Sequence, residues 1–368
     1  MDKKIKDAFF YLLKLGLWGS KNDSMQFPVL NNNEWSLIYE IAVSQTVEGL
    51  VYEGILSLPN MYYPPYEILL RWTAKIDSIE RFNKKVRFTL SNLSEGLAKS
   101  NISFILLKGL GLAENYRNPL LRVSGDLDLY FTDINNYNKA NSLLLTKGCI
   151  IKKGDHNSTF YTFNNVEVEH HTKMIDVYNP FLQKYIKKLI ESELPKFKEI
   201  EINNRYILIP SYLISHVQAN AHILKHYMGF GIGLRQICDV ARLCYMKEES
   251  FDGNELKMVY SKLGLSKWTN VLHNILVKDL GLDPSKLPYA IESDYKTDSI
   301  ICDILNSGNF GFHDIRFRET DVTRLKSNQK RDRIYQRVIP HIYKLMKLTP
   351  SEVFWFPLSK AYTKITGN

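Results

Sequence analysis

The sequence predicts an α+β protein, and three observations carry that reading. Between Trp72 and Leu97 apolar residues recur at steps of three and four; between Ile102 and Phe131 the pattern changes to a short apolar run and then to alternation; from Pro210 onward helical spacing returns. Helices, then a strand-bearing segment, then helices again divide the chain into a helical region over 1–100, a mixed-sheet core with flanking helices over 101–208, and a helical domain over 209–368.

Met1 to Gly19 has the outline of a signal sequence, but Asp2, Asp7 and Lys14 interrupt it and no small-residue cleavage site follows, so an amphipathic helix is expected. Trp35, Ile38, Ile41 and Ala42 place another helix after the Asn31-Asn32-Asn33 turn cluster, weakening beyond Ser44. After Pro64 and Pro65, a stripe of Trp72, Ile76, Ile79, Phe82, Val86, Leu90, Leu93 and Leu97 marks a long helix that packs on one side. Ile102 to Leu107 then reads as a buried strand feeding a turn at Lys108-Gly109, and Leu110 to Tyr116 as two helical turns stopped by Asn118 and Pro119. Val123 to Phe131 alternates, with Ser124, Asp126, Asp128 and Tyr130 on one face. Asp133 caps a helix over Tyr137 to Leu145, and strands are expected over Thr159 to Phe163 and Val166 to His171. Further helices are expected over Tyr212 to Tyr227, Leu234 to Met246, Gly253 to Leu263, Lys267 to Leu280 and Arg324 to Ile339, the last ended or kinked by Pro340.

At 368 residues and 45% hydrophobic content the chain has room for two or three buried cores. The net charge of +9 favours an anionic partner such as a nucleotide, RNA or lipid headgroups. Arg324, Lys326, Lys330, Arg331, Arg333 and Arg337 give the basic C-terminal helix a face for contacting an anionic partner, or simply a solvated face. Cys149, Cys238, Cys244 and Cys302 form no CxxC pair and no zinc spacing, so they read as reduced and mostly buried, and a cytoplasmic location follows. No apolar run is long enough for a transmembrane segment.

Gly125-Asp126-Leu127-Asp128-Leu129 carries the strongest chemical signal. Two carboxylates two apart on a strand point the same way, with Cα atoms roughly 6 to 7 Å apart, close enough to ligate one divalent metal; a plain solvated acidic face has the same pattern. On Val166 to His171 the residues Glu167, Glu169 and His171 share a face. His222 and His226 stand at i and i+4, as do Arg235 and Asp239; transition-metal binding by the two histidines would need a further ligand, and His216 is poorly phased to provide it. Gly229-Phe230-Gly231-Ile232-Gly233 lacks the strand-then-helix setting of a dinucleotide loop and reads as an inter-helix turn.

Leu106-Leu107-Lys108-Gly109, a short helix, then Arg122-Val123-Ser124-Gly125-Asp126-Leu127-Asp128 resembles the polymerase-β-like nucleotidyltransferase superfamily. More narrowly it resembles a bacterial family of uncharacterised nucleotidyltransferases, whose signature is Leu-Lys-Gly followed by Arg and then Asp-x-Asp-Leu. The resemblance implies a polymerase-β-like core and transfer of a nucleoside monophosphate from a nucleoside triphosphate, such as ATP, to a hydroxyl acceptor with release of pyrophosphate. It implies magnesium or manganese held by Asp126, Asp128 and a third acid. The family's acid-x-His pattern puts that acid at Glu169, as base or metal ligand, with Glu167 as the fallback. Lys108, Gly109, Arg122, Ser124 and Gly125 would meet the triphosphate, Gly109 by letting the backbone approach. Leu110 stands where the superfamily has a serine, which leaves the phosphate contact to Lys108. The pattern of histidine followed by Arg-x-x-x-Asp falls on His222, Arg235 and Asp239, which would line the nucleotide cleft or join helices instead. Nothing selects the acceptor among small molecules, sugars, RNA and protein, and a catalytically silent nucleotide- or RNA-binding module is the alternative.

Overall fold

The computed structural model describes residues 2–19, 27–154, 158–229, 231–248, 251–311 and 342–366. The expected basic helix over Arg324 to Ile339 lies outside the described residues. The described chain is α+β and divides into two compact units, each assembled from separate stretches of sequence.

The first unit takes in 1–80, 115–123 and 223–350. It opens with α1 (Lys3–Trp18), capped by the Asp2 side chain on the Lys4 amide, followed by α2 (Asn32–Ser44) and α3 (Glu48–Leu56). Asn31 and Glu34 close α2 with a reciprocal capping box. Two glycines allow α1 and α3 to touch backbone to backbone. A Cβ on Gly16 would strike the Leu50 carbonyl, and a Cβ on Gly54 the Leu12 carbonyl. Gly54→Ala must therefore push the helices apart, and we expect it to cost about 1–3 kcal/mol; a urea midpoint unchanged from the wild-type chain would contradict that contact.

A 33-residue helix, α4 (Tyr66–Ala98), carries the chain from the first unit into the second at Glu80. Its expected stripe is buried throughout except at Phe82, which is 37% exposed. The first unit later continues through α9 (Leu234–Tyr245), α10 (Gly253–Lys262), α11 (Ser266–Lys278) and α12 (Asp298–Ser307). All but α12 start within one residue of the positions read from the sequence. Cys238 and Cys244 are buried, Cys149 is half-buried and Cys302 is exposed.

The second unit, 81–114, 124–222 and 351–368, holds a five-stranded mixed sheet in the order β1 (Ile105–Leu107), β2 (Leu127–Tyr130), β5 (Val166–His171), β4 (Thr159–Phe163), β3 (Lys152–Lys153). Only β2 and β5 run parallel; the other neighbours are antiparallel. Leu106, Leu127, Leu129, Val166, Val168 and Tyr161 turn one sheet face toward a core shared with Leu90 and Leu97 of α4 and with Tyr137, Ala140 and Leu144 of α6 (Ile134–Thr146). Asp133 caps α6 by accepting from the Asn136 amide, as expected. A second hairpin, β6 (Lys198–Ile202) and β7 (Arg205–Ile209), follows α7 (Gln183–Glu193) and was not read from the sequence. Its turn residues Asn203 and Asn204 both have positive φ, as do Asn164 and Asn165 between β4 and β5, the left-handed pair that two-residue hairpins require. A final helix, Pro350–Thr366, is held where Glu352 accepts the Tyr178 amide at 2.7 Å.

β2 is shorter than the alternation of Val123 to Phe131 suggests. The Val123 carbonyl accepts from the guanidinium groups of Arg122 and Arg235, at 3.3 and 2.8 Å, so it is drawn into the first unit instead of a sheet ladder. Asp126 therefore lies just before the strand, and Asp128 within it.

Candidate active site

Register places the acids. Asp128 on β2 is opposite Glu169 on β5, and Leu107, the last residue of β1, is opposite Asp128 from the other side. Residues directly opposite across a ladder share a face, so Asp128, Glu169 and His171 project together from the side of the sheet away from the core. Ligand atoms of these three lie within 4.8 Å of one another, and no other such group occurs among the described residues. His222 and His226 are both on α8 (Tyr212–Gly229) and belong to no such cluster.

Lys108 follows β1 directly and caps α5 (Gly109–Ala113) with φ of 46°. The positive φ of this turn falls on Lys108, a strained setting for a side-chain-bearing residue, while Gly109 is the first helical residue. The turn brings Lys108 Nζ to 3.6 Å from Asp128 Oδ1. Burial pushes the Lys108 ammonium down, but Asp128, Asp176, Asp126 and Glu169 outweigh it and leave its pKa above the usual lysine value. Asp176 had no motif to announce it. Leu110 packs into the core, so its position supplies no hydroxyl to this turn.

The two aspartates are driven apart electrostatically. Burial would raise Asp128, yet the Lys108 charge and the His171 hydrogen bond dominate and hold its carboxyl at about 2. Asp126, at the solvent-reaching rim, is pushed up to about 6, first by the Asp128 carboxylate and then by desolvation. Because Asp128 is ionised at neutral pH and accepts only, the 2.6 Å bond to His171 Nε2 fixes that nitrogen as the donor. His171 Nε2 is also 3.5 Å from Glu169 Oε2. Behind them, on the core side, His170 is buried between Tyr161 Oη and Asn141 Oδ1, at 2.9 and 2.8 Å, and burial lowers its pKa to about 3. It is a neutral support for β5.

Within the cluster Asp128 and Glu169 offer oxygen donors, which suit magnesium or manganese better than a soft metal, while the Asp126 carboxylate at the rim is not among its three groups. Ser124 adds an uncommitted group: its Oγ is buried with no hydrogen-bond partner among the described residues. Gly125 is exposed, and a Cβ there would meet nothing within 4 Å.

The remaining residues singled out by the sequence behave differently. Arg122 is buried and gives two hydrogen bonds to Asp239, Nε to Oδ1 and Nη2 to Oδ2, each 2.7 Å; Tyr116 donates to the same Oδ1 at 2.7 Å. Asp239 therefore pairs with Arg122 instead of its helix neighbour Arg235. Its charge overrides the effect of burial and raises the Arg122 pKa.

A solved nucleotidyltransferase-like antigenic protein from Paracoccidioides brasiliensis is 16% identical to this chain, over 54% of this chain and 93% of its own, with a TM-score of 0.34. The search of curated proteins gave no match. Among the described residues no helix is long and apolar enough to cross a membrane. The model of the family described as uncharacterised nucleotidyltransferase matches residues 31–275, more than half of the sequence and the whole of the acidic site, and the chain belongs to that family.

Proposed function

We propose that the chain is a magnesium- or manganese-dependent enzyme that transfers a nucleoside monophosphate from a nucleoside triphosphate to a hydroxyl acceptor. The observation that carries this reading is the register of Asp128 against Glu169, with Lys108 delivered beside them by the β1 turn. Asp128 and Glu169 would hold the metal, with Asp126 joining from the rim; bound there, the metal would neutralise phosphate charge and polarise the reacting oxygens. His171 orients Asp128 through its Nε2 hydrogen bond. Lys108 offers its ammonium to the triphosphate, and the Ser124 hydroxyl a hydrogen bond. The acceptor oxygen attacks the α-phosphorus as its proton passes to the Glu169 carboxylate, and the bond from the α-phosphorus to the bridging oxygen breaks to release pyrophosphate.

Incubation of the full chain with each common triphosphate, magnesium and a panel of hydroxyl acceptors should release pyrophosphate, and chelation should abolish it. Tight, metal-dependent triphosphate binding without pyrophosphate from any acceptor would favour the silent binding module, a reading that the buried Leu110 keeps in play.

Metal binding should also release protons. A carboxyl titrating near 6 is about half protonated at pH 6 and must ionise to ligate, so calorimetry in buffers of different ionisation enthalpy should show release at pH 6 that vanishes by pH 8. Below pH 6 affinity should fall roughly tenfold per unit. Release independent of pH across this range would remove Asp126 from the metal site.

A further inference from the structure

The register that pairs the acids continues across the sheet. Glu169 is opposite Phe160 on β4, and Phe160 is opposite Lys152 on β3, so Asp128, Glu169, Phe160 and Lys152 form one row on one face. Glu167 and Thr162 are paired in a parallel row on the same face. Toward β1 this face is buried at Leu107, but Phe160, Thr162, Glu167 and Lys152 are exposed. The strip thus leads outward from the acids.

At its far end is a pocket of about 430 Å³, lined among others by Lys147, Lys152, Phe160, Thr162, Asn164 and Glu167. It forms where the edge strand β3 ends after two residues and leaves the rest of β4 unpaired on that side. The lining stops short of Asp128, Glu169 and His171, and Phe160 joins the two regions. Gly154 keeps the junction open: Ser158 Oγ, the Phe160 ring and Glu169 Oε1 all lie within 3.6 Å of where its Cβ would stand. The Ser158 hydroxyl is buried and has no hydrogen-bond partner among the described residues.

We propose that this strip is the acceptor subsite, and that the acceptor is a small hydroxylated ring compound carrying a phosphate or carboxylate. The inference rests on the transferase reading above and names the acceptor class for the same site. The acceptor hydroxyl lies at Glu169, its ring lies against the face of Phe160, and its anionic group meets Lys152 and Lys147. Glu169 and Lys152 are two strand spacings apart, roughly 10 Å, which one sugar ring with one anionic substituent bridges because the lysine stem is long and flexible. Anion selection follows from the charges: without a cation at the outer end, an anionic acceptor would be repelled by the acids. The pocket's size suits a small molecule better than a polymer.

Three probes share a hexose ring and differ at the sixth carbon, where glucose is neutral and glucose 6-phosphate and glucuronate are anionic. Calorimetric titration of the full chain with magnesium should show one or both anionic probes binding at least ~10-fold more tightly than glucose. That preference should disappear in Lys152→Ala, and affinity for the anionic probe should fall at least ~5-fold in Phe160→Ala. Lys187→Ala, which removes an exposed charge from α7, should leave affinity unchanged, and thermal melts of all three variants should match the parent chain. Equal affinities for the three probes, no binding of any, or indifference to both the Lys152 and Phe160 substitutions would overturn the proposal. These binding readouts are separate from pyrophosphate release. Turnover without probe binding would sink the acceptor subsite alone, whereas probe binding without triphosphate turnover would sink the transferase reading and leave the strip a binding site for anionic sugars with no acceptor role.

Discussion

Asp128→Asn is expected to reduce magnesium-dependent pyrophosphate release by on the order of 10³-fold while the chain stays folded. The carboxylate is the common point of the site: it pairs with Lys108, accepts from His171 and stands opposite Glu169. The neutral amide keeps the shape but removes the charge that a metal and the Lys108 ammonium both use. A second readout separates this local loss from general damage. Asp128 is the largest cause of the raised Asp126 pKa, so once that charge is gone the Asp126 carboxyl should titrate well below 6, toward its ordinary range, in a carboxyl-carbon NMR titration of the variant. Turnover within a few-fold of wild type would refute the metal-dependent mechanism, and an unmoved Asp126 titration would refute the electrostatic account of the pair.

Removing Arg122 should instead cost stability. Arg122→Ala leaves a buried carboxylate with only Tyr116 as donor, and Asp239→Ala leaves a buried guanidinium with its two best bonds gone; each should lose about 3–5 kcal/mol in urea unfolding. A double replacement, Arg122→Met with Asp239→Leu, should lose much less than the sum, because no charge is then left unpaired. If Arg122→Ala lost under ~1 kcal/mol while triphosphate affinity collapsed, Arg122 would be a phosphate contact as its place in the motif suggested. The sign of that comparison assigns the residue.

Much of this arrangement was legible in the sequence where one face of an element is buried and the other wet. Thr159 to Phe163 and Val166 to His171 alternate cleanly because their inner residues meet a core, and both strands have those bounds. The same alternation put Glu169 and His171 on one face. Elements with weak contrast were lost: α3 is buried over most of its length and carries Gly49 and Gly54, so it has no polar face to set a period. The β6–β7 hairpin was hidden by exposed, charged strand residues, although Asn203-Asn204 was a usable turn signal. In the site, what failed to read were long-range effects. The pairing of Arg122 with Asp239, 117 positions apart, has no local signature, and neither does the pull of two guanidinium groups on the Val123 carbonyl, upstream of where β2 starts at Leu127. Local spacing suggested Arg235 for Asp239, but burial decides between cations by which one can deliver two parallel bonds.

The interleaving of the two units along the chain constrains how the molecule is made. The first unit needs 223–350 as well as 1–80, and the second needs 351–368 as well as 81–114 and 124–222. On a ribosome, then, the first unit cannot be completed until residue 350 has emerged, after every residue of the five-stranded sheet has been synthesised. For the same reason no single protease cut can free either unit from the other as an intact piece.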